Sequence, residues 1–175
     1  WSQFKLVELM ISLDDWGPRN EFVRWPASWE VISKNLDRLD ETADNIVVNI
    51  LATVHAMNIY NLPDFAQAII ERKWKKICER NEGLFSVGTT HWPQYLSTTV
   101  LPQAVKEIIN KRWEEYPDLV NHPRWINRIK YQFEYMTSRD DSDKFPDLIN
   151  YIDTLDLMRP VKFRDVYSDY YELLK

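Results

Sequence analysis

Cysteine and glycine are scarce in this sequence. Its 175 residues include one cysteine, Cys78, and three glycines. A single cysteine excludes an intramolecular disulfide and a cysteine metal site built from this chain alone. Three glycines exclude a glycine-rich phosphate loop, because such loops need several residues without a Cβ atom where the backbone approaches the phosphate. The cysteine content is consistent with a reducing, cytoplasmic setting, which we expect for this chain.

Long apolar runs and an excess of basic residues are also missing. No apolar stretch approaches the roughly 20 residues that span a bilayer, and the first residues, WSQFK, lack the basic start and apolar core of a signal peptide. The chain has 22 basic and 27 acidic residues and a net charge of -5, whereas binding to phosphate backbones needs clustered Lys and Arg. We therefore expect neither a membrane nor a nucleic acid as partner. Because the chain begins at Trp1 rather than at Met, we expect it to be a fragment of a longer protein.

The first two thirds of the chain alternate between strand and helix patterns. Apolar, β-branched segments predict strands at residues 6–12, 46–54 and 84–88. The first of them is a near-continuous apolar run, which predicts a strand buried on both faces. Helical spacing of apolar residues predicts helices at residues 29–39, 61–79 and 102–116. Strands that alternate with helices favour parallel pairing through right-handed crossovers, so the sequence predicts an α/β fold.

The pattern changes at Pro117, after which only helical segments follow. They are predicted at residues 119–136, 146–157 and 163–174. We therefore predict two regions, an α/β unit at residues 1–116 and a helical C-terminal region at residues 117–175.

The loop after the first strand carries the strongest candidates for a ligand site. Ligands of parallel sheets bind beyond the carboxyl ends of the strands. Here Ser12, Asp14 and Asp15 end the strand, and Arg19 and Arg24 come next in the loop. A hydroxyl and a carboxylate suit a ribose or an amino-acid group, and the Arg fork suits a ligand carboxylate. The alternative is that the Asp residues form a turn and pair with the Arg residues, and the sequence leaves both hypotheses open.

The second strand ends among polar residues, Thr53, His55 and Asn58. For His55 the pattern favours a structural hydrogen-bonding role over a role as a base or a ligand. The third strand is followed by His91, which suits either catalysis or the ordering of its own loop. A metal site formed by His55, His91 and His122 has no recognisable spacing, so none is expected.

Cys78 lies late in a predicted helix, with basic residues on both sides. Such neighbours can lower the pKa of a thiol. No pattern of an accompanying base is present, so we expect an inert thiol.

Several segments together resemble one enzyme family. Residues 7–39, VELMISLDDWGPRNEFVRWPASWEVISKNLDRL, resemble the fourth strand, loop and helix of radical S-adenosylmethionine enzymes, in particular those with a SPASM or twitch domain. In that family the strand ends in Ser-Ile/Leu-Asp-Gly and an Ile/Val-Arg precedes the helix. Residues 45–69, NIVVNILATVHAMNIYNLPDFAQAI, are similar to the fifth strand. Residues 84–109, with Pro-x-Tyr-Leu and Leu-Pro, are similar to the sixth, and residues 145–174 resemble the C-terminal helices.

The resemblance implies that this chain is the second half of a partial (β/α) barrel. It implies that Ser12 and Arg24 contact the methionine part of S-adenosylmethionine. It also implies that Asp14 lies near the ribose and that Thr53 lies near the adenosyl group. One position departs from the family pattern, because Asp15 stands where the family has Gly.

The motifs for the opposite side of such a site do not occur in the sequence. The family holds its [4Fe-4S] cluster with Cys-x3-Cys-x2-Cys, and a Gly-Gly-Glu motif holds the amino group of S-adenosylmethionine. The cluster needs thiolate ligands, so we do not expect this chain alone to perform radical chemistry. The resemblance implies that an N-terminal half, on the same or a separate polypeptide, supplies the cluster.

The resemblance thus implies part of a radical S-adenosylmethionine enzyme that cleaves S-adenosylmethionine reductively and modifies an unknown substrate, a peptide or a small molecule. A second hypothesis is a non-catalytic binding or assembly module that keeps the fold without the cluster. A third is a soluble α/β domain whose likeness to the family is accidental.

Overall fold

The structure is a computed structural model that describes residues 1–78, 85–120 and 126–175. Its strands are β1 (Val7–Ser12), β2 (Ile46–Val54) and β3 (Ser86–Thr89). Its α-helices are α1 (Pro18–Val23), α2 (Trp29–Asp40), α3 (Leu62–Arg72), α4 (Lys75–Cys78), α5 (Gln103–Glu114), α6 (Pro117–Val120), α7 (Ile126–Thr137), α8 (Phe145–Met158), α9 (Phe163–Val166) and α10 (Ser168–Leu173). Short 3-10 helices are found at Ile59–Asn61, Gln94–Leu96, Thr98–Val100 and Ser142–Lys144. The predicted mixed α/β architecture with a helical C-terminal region is confirmed.

The strands form one parallel sheet in the order β1-β2-β3. Val7 pairs with Ile46 at the start of β1, and Ser12 pairs with Leu51 at its end. Leu51 in turn pairs with Ser86 of β3. The three predicted parallel neighbours are confirmed, although β3 begins two residues later than predicted and Leu84 lies outside the described residues.

The prediction that β1 is buried on both faces is wrong. Its side chains alternate between half-buried and exposed, and Met10 is 62% exposed. The register places the half-buried residues of β1 beside the buried residues of β2, so one face of the sheet carries the core. The other face, here called the open face, carries Glu8, Met10 and Ser12 of β1, Val47, Asn49, Leu51 and Thr53 of β2, and Ser86 and Gly88 of β3. The apolar run therefore predicted the strand correctly but did not show whether one or both of its faces are buried.

The predicted helix at residues 61–79 is interrupted. α3 ends where Lys73 adopts a left-handed conformation with φ 55°, and α4 starts two residues later. Trp74 lies in the break, where it is buried and its indole Nε1 donates to Asp37 Oδ1 at 2.9 Å. The indole contact with α2 thus accompanies the turn that ends α3.

The loop predicted at residues 13–27 contains a short helix, α1. It starts after Gly17, whose φ of 60° favours glycine, and Pro18 occupies its first turn. Phe22 is buried on its inner side. The turn-forming residues of this stretch predicted a loop, although it contains a short helix whose Phe22 side chain is buried in the core.

The C-terminal helices pack onto the same core as the sheet. Phe163, Tyr167 and Tyr170 are buried in one hydrophobic cluster with the strands. The helix predicted at residues 163–174 is broken at Tyr167 into α9 and α10. The helix predicted at residues 119–136 corresponds to α6 and α7, and residues 121–125 lie outside the described residues. No helix in the described ranges is long and apolar enough to cross a membrane.

Candidate functional site

A cleft of about 520 Å³ lies at the carboxyl end of the sheet. Asp14 and Arg24 line it from the loop after β1, Thr53 and His55 from the end of β2, and Thr90 and Trp92 from the loop after β3. Its volume lies within the range of roughly 300–1,000 Å³ that small-molecule sites occupy. The loops of all three strands therefore converge on one concave site, as the parallel topology predicts.

Asp14 connects the ends of β1 and β2. Its Oδ1 accepts a hydrogen bond from the backbone N–H of Thr53 at 2.7 Å and another from Arg24 Nη2 at 3.0 Å. Arg24 Nε lies 2.8 Å from Asp14 Oδ2 as an ion pair, but it is not aligned to donate. One buried carboxylate thus holds both the second strand and the guanidinium at the cleft.

Two buried asparagines brace this arrangement. The backbone N–H of Asp14 donates to Asn20 Oδ1 at 3.1 Å. Asn58 Nδ2 donates to the carbonyls of Asp14 and Thr53, at 2.9 and 3.0 Å. Asn58 is fully buried and connects the two loops from beneath, so it supports the cleft without lining it.

Asp15 belongs to a separate, buried cluster. Its Oδ1 accepts from Arg19 Nε at 2.8 Å and from the backbone N–H of Trp16 at 2.7 Å, and its Oδ2 accepts from Tyr167 Oη at 2.9 Å. Burial raises the pKa of Asp15 to about 6, and the guanidinium of Arg19 opposes that rise. The carboxylate of Asp15 therefore joins the first loop to the C-terminal helices.

Both Asp–Arg pairs that the sequence left as an alternative are present. Asp14 pairs with Arg24, and Asp15 pairs with Arg19. Only the first pair lines the cleft. Pairing and ligand binding are therefore not exclusive for Arg24, whose side chain is 33% exposed.

Ser12 lies apart from the other three candidates. It is the last residue of β1 and is exposed on the open face of the sheet, the face that also carries Thr53. It is not among the residues that line the cleft. The structure thus brings together Asp14, Arg24 and Thr53 in the cleft, whereas Ser12 does not line it.

His55 has a fixed hydrogen-bonding role in the protein. Its Nδ1 accepts a hydrogen bond from the backbone N–H of Met57 at 3.2 Å. The backbone N–H of His55 donates to Asn58 Oδ1 at 2.9 Å. Burial lowers the pKa of His55 to about 4, so the imidazole is neutral at physiological pH. These hydrogen bonds agree with the structural role that the sequence favours.

His91 is held by the helical region and does not line the cleft. Its Nδ1 lies 2.9 Å from Tyr135 Oη, which also lies 3.0 Å from Ser97 Oγ. These contacts agree with the loop-ordering alternative. Within the described residues no group of three or more His, Cys, Asp or Glu could hold a metal ion, and His122 and the side chain of Cys78 lie outside what the structure describes.

Sequence reasoning missed the aromatic walls of the cleft. They are formed by Trp25, Trp92 and Tyr151. Tyr151 comes from α8 in the helical region, where the sequence predicted no site residue. Each Trp precedes a Pro in a polar loop, and a large aromatic residue in a loop is the signal that could have identified the two of them.

No family model, curated protein or solved structure matches this chain. The family assignment and the ligand roles that the resemblance implies therefore stay predictions.

Proposed function

We propose that this chain is the second half of a radical S-adenosylmethionine partial barrel and that its cleft binds S-adenosylmethionine. The observation that carries the proposal is the convergence of Asp14, Arg24 and Thr53 on one cleft at the carboxyl end of a parallel sheet. These are three of the four positions that the resemblance implies as contacts of S-adenosylmethionine. Asp14 and Arg24 come from the loop after β1, and Thr53 comes from β2.

Arg24 is suited to the carboxylate of the methionine part. Its Nη2 and Nε face Asp14, whereas its Nη1 makes no hydrogen bond to the described residues. A guanidinium has five N–H donors in a rigid fork, so one edge can pair with Asp14 while the other binds a ligand carboxylate. Asp14 thereby fixes the direction in which Arg24 presents its free donors.

The iron-sulfur cluster does not fit this chain. A [4Fe-4S] cluster is held by cysteine thiolates, and the sequence has one cysteine. The ligands would therefore come from a partner, the N-terminal half on the same or a separate polypeptide. This chain's role in the proposal is to bind and orient S-adenosylmethionine, and the substrate, a peptide or a small molecule, stays undefined.

The sheet offers a surface for that partner. β1 pairs only with β2 among the described residues, so its outer edge has free backbone donors and acceptors. Met10 on β1 and Leu6 directly before it expose apolar side chains near this edge. A free strand edge next to exposed apolar side chains is a template for adding further strands. The added strands would extend the sheet toward a partial barrel.

The same surface favours the alternative of a non-catalytic binding or assembly module. In that case β1 and the open face would bind a partner without a cluster. The coding segment directly upstream separates the two hypotheses. A segment with Cys-x3-Cys-x2-Cys supports the enzyme, and its absence supports the module.

Calorimetric titration with S-adenosylmethionine tests the proposal. The wild-type chain is expected to bind, and Arg24→Ala is expected to bind about 10- to 100-fold more weakly, because it removes a charge-assisted hydrogen bond. The matched control is Arg72→Ala, which removes a surface guanidinium paired with Asp37 outside the cleft and is expected to leave the affinity unchanged. Equal affinity of the wild type and Arg24→Ala would show that Arg24 does not contact the ligand. Absence of binding by the wild type would refute the proposal.

A further inference from the structure

The outer edge of β1 carries a regular row of backbone hydrogen-bonding groups. At the start of the ladder with β2, the N–H of Val7 donates to the carbonyl of Asn45. In a parallel ladder every second residue of a strand turns its N–H and C=O groups toward the neighbouring strand. The residues of β1 that turn these groups outward instead are Glu8, Met10 and Ser12. Among the described residues β1 pairs only with β2, so this row has no partner strand there.

The residues of β1 do little to protect this edge. Proteins commonly blunt an edge strand with proline, lysine or a bulge, whereas β1 reads VELMIS and pairs with β2 without interruption. Its one charged side chain, Glu8, accepts a hydrogen bond from Asn49 Nδ2 of β2. The carboxylate is thereby drawn toward β2 and away from the outer edge. The strand is therefore open to pairing with another strand.

A second copy of this chain fits the edge through a two-fold axis. An isologous pair closes after two copies, because the same surface is used on both. In an antiparallel pair of strands, opposed residues alternate between hydrogen-bonded and non-hydrogen-bonded pairs, and only the outward-facing residues can form the first kind. The three registers centred near the middle of β1 meet this condition. They place Glu8 opposite Glu8, Met10 or Ser12 of the second copy.

Charge and length favour one of these registers. Glu8 opposite Glu8 brings two carboxylates side by side, which destabilises a cross-strand pair. Glu8 opposite Ser12 pairs only residues 8–12 of each strand, whereas Glu8 opposite Met10 pairs residues 6–12. The register with Glu8 opposite Met10 therefore forms the most hydrogen bonds without placing like charges directly opposite each other.

The same register is apolar on the face of the sheet that carries the core. Its centre is Leu9 opposite Leu9, and Val7 lies opposite Ile11 on both sides of that centre. All three side chains are only half-buried in the single chain, although they pack against the core. Pairing would cover their remaining exposed surface, and burial of apolar surface drives association.

We propose that two copies of this chain associate through β1, antiparallel about a two-fold axis, with Glu8 of each copy opposite Met10 of the other. The three strands of each copy then join into one continuous sheet. This inference does not rest on the proposed function, because it needs only the edge of β1. The second copy uses the edge to which the N-terminal half is proposed to add, so the two partners exclude each other. The homodimer is the state of the chain without that half.

Sedimentation equilibrium of the full chain tests the dimer. The wild type is expected to associate. Met10→Glu places a carboxylate opposite each Glu8, and two such like-charge pairs are expected to raise the Kd of the dimer about 2- to 30-fold. Leu157→Glu adds the same charge at an exposed apolar residue of α8 and is expected to sediment as the wild type does.

Two further variants test the register. Met10→Lys places a cation opposite each Glu8, so it is expected to dimerise at least as tightly as the wild type. A register with Met10 opposite itself would bring two lysines together and weaken that dimer. Glu8→Lys combined with Met10→Glu exchanges the two signs and is expected to restore the dimer that Met10→Glu weakens. Both side chains are exposed, so thermal midpoints from circular dichroism are expected to show that every variant folds.

Amide hydrogen exchange identifies the surface that pairs. The outward N–H groups of Glu8 and Met10 are expected to exchange more slowly as the concentration of the chain rises. A wild type that stays monomeric at millimolar concentration overturns the inference, and so does a dimer in which both amides stay unprotected. A Kd of Met10→Lys above that of the wild type overturns the register. Binding of S-adenosylmethionine is measured separately by calorimetry, so the dimer and the proposed function can fail independently.

Discussion

The carboxylate of Asp14 accepts the backbone N–H of Thr53 at 2.7 Å, across 39 positions of sequence. The same oxygen accepts a hydrogen bond from Arg24, so the ends of two strands and one guanidinium are held by a single buried side chain. The geometry of the cleft at the end of β1 and β2 depends on this contact.

Asp14→Asn tests that contact. The amide can still accept from Thr53, but it cannot neutralise Arg24. We expect the free energy of unfolding to fall by about 1–3 kcal/mol, the range for losing one partner of a hydrogen-bonded charge, and the affinity for S-adenosylmethionine to fall with it. Urea unfolding and calorimetry measure the two effects. Asp143→Asn, at an exposed ion pair with Lys144, is the control and is expected to change neither; equal values for the two variants would contradict the role of Asp14.

Tyr167→Phe removes the hydrogen bond that joins the C-terminal helices to the first loop. Tyr167 Oη donates to Asp15 Oδ2 at 2.9 Å, and both residues are buried. Loss of this donor leaves a buried carboxylate oxygen without its partner, so urea unfolding is expected to show a loss of about 1–3 kcal/mol. Tyr131→Phe, at a half-exposed ring, is expected to match wild type. A Tyr167→Phe protein as stable as the wild type would show that the two regions are not coupled through Asp15.

Stability is expected to depend on pH through Asp15. Burial raises its pKa from 3.8 to about 6, so the folded state binds the proton more tightly than the unfolded state does. Its contribution to stability is therefore fully present below pH 3.8 and is lost as the pH rises through about 6. From the pKa difference the loss is on the order of 3 kcal/mol. Asp15→Asn is expected to remove this loss in urea unfolding measured across that pH range, and a slope equal to that of the wild type would contradict it.

His55 is expected to act in the opposite direction over nearly the same range. Burial lowers its pKa from 6.5 to about 4, so the unfolded state binds the proton more tightly. Its contribution is present above pH 6.5 and is lost as the pH falls through about 4. The wild-type slope is therefore expected to be shallower than the slope of either His55→Asn or Asp15→Asn, with the two variants deviating in opposite directions. Variant slopes that deviate in the same direction would show that one of the two pKa directions is wrong.

The open face of the sheet predicts a different kind of result. Met10 is exposed on β1, so Met10→Lys is expected to leave the unfolding of the isolated chain unchanged. The charge would lie where the partner half is proposed to dock, so co-purification with a co-expressed upstream segment that carries Cys-x3-Cys-x2-Cys is expected to be lost. Val31→Lys, on the exposed surface of α2, is the control and is expected to retain the partner. Equal retention by both variants would exclude the exposed side chain of Met10 on β1 from the docking surface.

The strands and the helix after the first loop could be predicted from local sequence. An apolar run identified β1, and β-branched residues identified β2. The helical spacing of apolar residues identified α2, whose N-cap is Ser28. The break at Lys73 could not be predicted, because it accompanies burial of Trp74 against α2, a contact between distant residues. Whether one or both faces of β1 are covered depends likewise on what packs against it, which the strand's own residues do not state.

The site was also only partly predictable, because local sequence does not encode tertiary contacts. Asp14, Arg24 and Thr53 were found because parallel strands bring their carboxyl ends together, so polar residues at those ends become neighbours. Tyr151 was missed because α8 reaches the cleft through tertiary packing, which no local pattern encodes. The tautomer of His55 was equally hidden, because it is set by the backbone of Met57 in the folded loop.

Nitrogen-proton correlation spectra of the isotope-labelled chain, recorded during addition of S-adenosylmethionine, test the central claim most directly. The eight tryptophans give indole N–H signals that report on separate parts of the surface. We predict that the backbone amide of Thr53 and the indole signals of Trp25 and Trp92 shift with ligand, while the indole signal of Trp1 stays in place. Shifts confined to residues outside the cleft, such as Tyr171 and Leu174 beside α8, or no shifts at all, would contradict the account.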